Sequence, residues 1–138
     1  MALHFIRPSL LLLAFAFQSS VFAHGSTFIV IPQYSELTRA ARIEGTVMVD
    51  VAFDKDGNIQ STSINTASPR IPMLEPIVLG ALAKWHIKSL SNAKLTFSFS
   101  FNLLPETMPD SNGEVASYVD LDSGQVKIFA KRARITAS

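Results

Sequence analysis

The chain has 138 residues, 48% of them hydrophobic and 17% charged, with no cysteine. That is one domain's worth of chain and too apolar for a disordered one. The missing thiol excludes a disulfide scaffold, a zinc finger, a redox or nucleophilic cysteine and a lipoprotein anchor. A formal net charge of +1 gives no basic field for nucleic acid.

Residues 1–23 read as a secretory signal peptide. Arg7 lies in a short basic start, Ser9 to Phe17 is a compact apolar run, and Val21-Phe22-Ala23 supplies small residues at a peptidase site. Cleavage leaves 115 residues with 11 basic and 11 acidic side chains, starting at His24. Export without cysteine suits a bacterial periplasm. The rival reading is an uncleaved inner-membrane anchor, but a span of about 20 apolar residues would have to include Gln18-Ser19-Ser20 and His24-Gly25-Ser26-Thr27. After cleavage, no stable membrane insertion is expected.

Residues 24–33 are a leader in which Phe28 to Ile31 can form a short strand. Tyr34 to Ile43 has a short helical pattern. Thr46 to Phe53 alternates cleanly, with Val47, Val49, Val51 and Phe53 on one face. Asp54-Lys55-Asp56-Gly57 is a turn, and Asn58 to Thr66 is the returning strand. Its apolar residues, Ile59 and Ile64, have opposite parity, so a β-bulge near Ser61 or Thr62 is needed to bring both to the core.

A helix follows, with Leu74, Ile77, Val78, Ala81, Leu82 and Trp85 in one stripe. Ile87 to Lys94 reads as a turn. Leu95 to Leu103 alternates Leu95, Phe97, Phe99, Phe101 and Leu103 with Thr96, Ser98, Ser100 and Asn102. Residues 105–114 form a linker. Residues 115–131 suggest a β-hairpin across Asp122-Ser123-Gly124, and 132–138 a flexible tail. The expected fold is α+β: a small antiparallel sheet of about three strands on one main helix, with an extra C-terminal hairpin.

The stretch 34–104 resembles the TonB C-terminal domain family. The resemblance is carried by Tyr34-Ser35-Glu36-Leu37, Ala41 to Val47, Phe53-Asp54-Lys55-Asp56-Gly57, Lys84-Trp85 near the helix end, and the final alternating strand. It implies a periplasmic protein–protein interaction module that adds a short segment of an outer-membrane receptor to the edge of its sheet. It also implies that Leu95 to Leu103 is that edge. A full transducer's anchor helix and proline-rich spacer are missing, which puts force transduction in doubt.

The residues lend this reading separate support. An edge strand is usually guarded by lysine, proline or a bulge, and Leu95 to Leu103 shows none within it, with only Lys94 just before it. An unguarded edge accepts an extended peptide through main-chain hydrogen bonds. The expected partner contacts are Thr96, Ser98, Phe99, Ser100, Phe101 and Asn102, while Gly45, Gly57 and Trp85 are structural. The alternative is a self-associating structural domain, a homodimer without a transport role.

No catalytic grouping stands out, and no cofactor or metal site is expected. Beyond the signal the histidines are His24 and His86, and Asp54 and Asp56 are turn residues that stop short of a calcium loop. A minor alternative is copper(II) held by an N-terminal His24 amine and imidazole with His86. Met48, Met73 and Met108 are too scattered in sequence to favour copper(I). The basic residues Lys127, Lys131, Arg132 and Arg134 read as a solvated end.

Overall fold

The computed structural model describes residues 11–14, 21–24, 27–67, 69–105 and 117–131. Five strands make the main sheet: β4 (Gly45–Phe53), β5 (Ile59–Ile64), β7 (Lys94–Leu104), β8 (Ser117–Asp120) and β9 (Gln125–Lys131). Their order is β8-β9-β7-β4-β5, and β1 (Leu11–Ala14) extends the sheet beyond β8. A second, three-stranded sheet joins β2 (Val21–His24), β3 (Thr27–Val30) and β6 (His86–Ile87). Among the described residues, two α-helices, α1 (Glu36–Ala40) and α2 (Glu75–Leu82), and a 3-10 turn at Lys88–Leu90 complete the α+β fold.

The alternation in β4 and β7 does what its period requires. Val47, Val49, Val51 and Phe53 meet Phe97, Phe99 and Phe101 in one buried cluster with Leu74, Val78, Leu82 and Trp85 of the helical segment. Ile64 and Ile77 pack against its margin. The opposite face carries Thr46, Met48, Asp50, Thr96, Ser98 and Ser100. Trp85 is 2% exposed and covers one end of the core, as its place at the end of the apolar stripe predicts. Its ring stands edge-on to Phe97 at 5.3 Å, and its Nε1 donates to the Val30 carbonyl at 2.8 Å. That bond ties α2 to β3. Residues 27–31 are therefore more than a leader: Ile29 and Ile31 are buried in the same cluster.

Two polar devices set the helices. Ser35 caps α1, its Oγ accepting from the Thr38 N–H while the Thr38 hydroxyl accepts from the Ser35 N–H, both at 3.1 Å. Arg70 forks onto the almost buried Glu75 at 2.8 and 2.7 Å, and the Ile71 N–H adds a third bond at 3.0 Å. The Arg70 hydrogen bonds hold the Glu75 carboxyl below its ordinary value of 4.5. A carboxylate depressed in the folded state stabilises the protein above its unfolded value and loses that contribution as pH falls through the folded one. Thermal melts should show Glu75→Gln less stable than the parent at pH 7, with the gap closing on acidification below about 4.5. A gap that persists at pH 2 would mean the carboxylate's charge is not the cause.

Gly57 closes the β4–β5 turn with φ +87. Asp54 Oδ1 accepts from the N–H groups of Asp56 and Asn58 at 2.8 and 2.9 Å, which shapes the turn. The Gly57 carbonyl accepts from Ile87 at 2.8 Å, docking the turn on β6. A Cβ at Gly57 would lie 2.5 Å from the Ile87 carbonyl oxygen. Gly57→Ala therefore combines a left-handed backbone with a backbone clash. It should cost about 2 kcal/mol in urea unfolding.

Candidate strand-addition edge

β7 is not an edge. On one side it pairs antiparallel with β4, from Lys94 opposite Ala52 to Phe101 opposite Gly45. On the other it pairs parallel with β9, from Ser98 opposite Gln125 to Leu104 opposite Lys131. The expectation that Leu95 to Leu103 offers a free edge is thus corrected. From Ser98 onward, β9 takes up the ladder positions that an added segment would need. Phe99 and Phe101 are core residues at 0% and 1% exposure. Thr96, Ser98, Ser100 and Asn102 lie on the opposite face. The 124–125 turn closes tightly on the strand, with the Gly124 carbonyl accepting from the Ser98 N–H at 2.7 Å.

β9 is also built into the core. Val126 and Ile128 are buried at 0% and 3% exposure, beside Val119 and Leu121 of the hairpin. A tethered strand competes at an effective concentration in the millimolar range. A free peptide held by a few backbone bonds does not displace it.

Among the described residues, the two edges of the main sheet are β1 and β5. β5 pairs there with β4 alone: Ile64 opposite Val49, Ser63 opposite Asp50, Thr62 opposite Val51, Ser61 opposite Ala52, and Ile59 opposite Phe53. The register shifts between Ala52 and Phe53, leaving Gln60 as the extra residue. This is the expected bulge, one position earlier than Ser61, and it brings both Ile59 and Ile64 to the core side. The Asn65 N–H donates to the Met48 carbonyl at 2.8 Å. Because hydrogen-bonded and non-hydrogen-bonded pairs alternate in an antiparallel ladder, the N–H and C=O of Thr62 and Ile64 point away from β4. Residues 60–63 are exposed, and Ile59 to Ile64 includes no charge and no proline. Beyond the bulge at Gln60, the stretch from Ser61 to Ile64 has no charge or proline to guard its edge.

Beside this edge lies a groove of about 350 Å³ on the polar face of the sheet, lined by Asp50, Ala52, Ser61, Ser63, Lys94 and Thr96 among others. Asp50 Oδ1 accepts from the Thr96 hydroxyl at 2.6 Å and from Asn65 Nδ2 at 3.0 Å. These bonds, the Thr96 bond first, hold its carboxyl below the ordinary range.

The remaining sequence expectations fall as follows. Gly45, at φ +146, admits the chain to β4, and a Cβ there would clash with Ile71. His86 is a structural partner of the turn, its Nδ1 2.8 Å from Asn58 Oδ1. The β2–β3–β6 register sets His24 opposite Thr27 and Ile87, one row from His86, so the two histidines of the copper alternative do not share a row. Among the described residues, no group of three or more His, Cys, Asp or Glu is placed to hold a metal ion, and no helix is long and apolar enough to cross a membrane. Most of the proposed signal segment, linker residues 106–114, Arg132 and Arg134 of the basic cluster, and the 132–138 tail lie outside the described residues.

No curated protein and no solved structure matches the chain. The family described as Gram-negative bacterial TonB protein C-terminal matches residues 31–103. The match runs from the end of β3 through Leu103 in β7 and stops before the β8–β9 hairpin. Its span takes in both helices, the β4–β5 hairpin, Trp85 and the aromatic strand, and on that ground the chain belongs to the TonB C-terminal domain family.

Proposed function

We propose that this protein is a non-catalytic periplasmic interaction module, exported by its N-terminal segment, that binds an extended protein segment by strand addition in the service of TonB-dependent transport. The family is one of non-enzymatic interaction domains generally linked to transport. The observation that carries the reading is β5, a six-residue uncharged strand that, among the described residues, is paired on one side only. The segment of an outer-membrane receptor is the partner this family suggests. β5 replaces β7 as its site, because β9 already lies along β7.

Each added backbone bond contributes about 0.5 to 1.5 kcal/mol net. A handful of them, less the cost of ordering the segment, gives affinity no tighter than roughly micromolar. The probe is a heptapeptide of alternating valine and threonine, with affinity measured by titration calorimetry or fluorescence anisotropy. Thr62→Pro removes an outward N–H while leaving the β4 ladder intact, since proline is tolerated on the solvent side of an edge strand. This variant should melt within a few degrees of the parent and bind at least ten-fold more weakly. Equal binding by a folded Thr62→Pro variant would place the peptide elsewhere. Concentration-dependent dimerisation that Thr62→Pro abolishes would favour the self-associating alternative.

A further inference from the structure

The cross-strand rows beside β5 carry unequal charge. One row runs Ser63, Asp50, Thr96 from the edge inward, and the next runs Ser61, Ala52, Lys94. In the first, a single small side chain separates the edge from a carboxylate. In the second, two small side chains lead to an exposed ammonium.

We propose that β5 selects an extended segment that carries a lysine or arginine in the row of Ser63, with Asp50 as its counter-charge. The inference rests on strand addition at β5 and adds the chemistry and register of the partner. A residue added opposite Ser63 sits two strand spacings, roughly 10 Å, from the Asp50 backbone. That gap is spanned by a lysine or arginine stem lying over Ser63 together with the Asp50 side chain. A larger residue at position 63 would obstruct the path, and serine leaves it open. Both described hydrogen bonds to Asp50 fall on Oδ1 and come from neutral groups, so they fix the carboxylate without neutralising it. They also keep it ionised well below neutral pH. Lys94 makes the neighbouring row unfavourable to a second cation, so the charge pattern specifies register as well as identity.

The test uses three heptapeptides, Val-Thr-Val-Arg-Val-Thr-Val and its Gln and Glu counterparts at the centre, against the parent, Asp50→Asn and Thr62→Pro. Asn at position 50 retains an oxygen to accept from Thr96 and Asn65, so the local fold is kept. The arginine peptide should bind the parent about three- to five-fold more tightly than the glutamine peptide at low salt, the range for one exposed ion pair. The glutamate peptide should bind more weakly than the glutamine one. The preference should vanish in Asp50→Asn and shrink as salt is raised. If all three peptides bind the parent equally, and binding still depends on the edge blocked in Thr62→Pro, strand addition stands and the charge selection falls. An arginine preference that survives in Asp50→Asn also overturns the selection. If no peptide binds, or none is affected by Thr62→Pro, the edge reading falls and takes this inference with it.

Discussion

Truncation after Pro105, which removes the β8–β9 hairpin, is expected to abolish cooperative folding of the monomer. The hairpin contributes Val119, Leu121, Val126 and Ile128 to the buried cluster. Full burial of such side chains is worth about 1.5–3 kcal/mol each as an upper estimate. Four of them together match the roughly 5–15 kcal/mol that holds a domain of this kind together. The loss does not end with the core. Without β9, the main chain of Ser98 to Leu104 becomes a bare seven-residue edge beside three phenylalanines. Such an edge pairs with other chains. Circular dichroism melts and light scattering provide the check: the truncated chain should show no cooperative monomeric transition and should self-associate. A truncated monomer that melts near the parent temperature would make the hairpin a decoration. Val126→Ala, a smaller lesion, should unfold cooperatively at lower urea.

Trp85→Ala should be among the most damaging single substitutions. Trp85 touches Phe97 and Phe99 at ring-centre distances of 5.3 and 6.0 Å and bonds to Val30. Truncating a buried tryptophan to alanine costs about 3–5 kcal/mol. Trp85→Phe separates the terms, since much of the aromatic packing survives while the Val30 carbonyl loses its donor. Leaving this half-buried acceptor without its donor costs at most the roughly 1–3 kcal/mol of a fully buried one. Urea unfolding followed by circular dichroism should rank parent, Trp85→Phe, Trp85→Ala in falling midpoint with little change in slope. If Trp85→Phe is as stable as the parent, the Nε1 bond to Val30 adds nothing net.

The β4–β5 hairpin, the helix ending near Trp85 and the aromatic strand are legible in the sequence because each depends on local periodicity. The opposite parity of Ile59 and Ile64 even reveals the bulge, which the structure places at Gln60. The status of β7 is not legible in the same way. Its lack of charge from Leu95 to Leu103 fits an unguarded edge, but it fits an interior strand equally well, because a strand paired on both sides needs no guard. Only the long-range pairing with β9 decides between them, and no local pattern encodes a parallel partner 27 positions further on. The same limit hid β5. Its serines and threonine look like an ordinary exposed return strand, and their importance depends on β4 having been claimed by β7 on its other side. Phe28 to Ile31 is legible as a short strand, but the burial of Ile29 and Ile31 in the core is not, because four residues are too few to show a period.

The parallel joint between β7 and β9 has a consequence for the order in which the chain assembles. An antiparallel hairpin closes as soon as its second strand has been made, but this joint waits for Gln125–Lys131, which lie 27 positions beyond their partners in β7. While the chain is still emerging from the ribosome, β4, β5 and β7 can already pair, and Phe97, Phe99 and Phe101 are sheltered on one side only. Late-arriving, non-local pairing of this kind is slow and leaves a sticky intermediate. The yield of folded protein then depends on how quickly β9 arrives as well as on equilibrium stability.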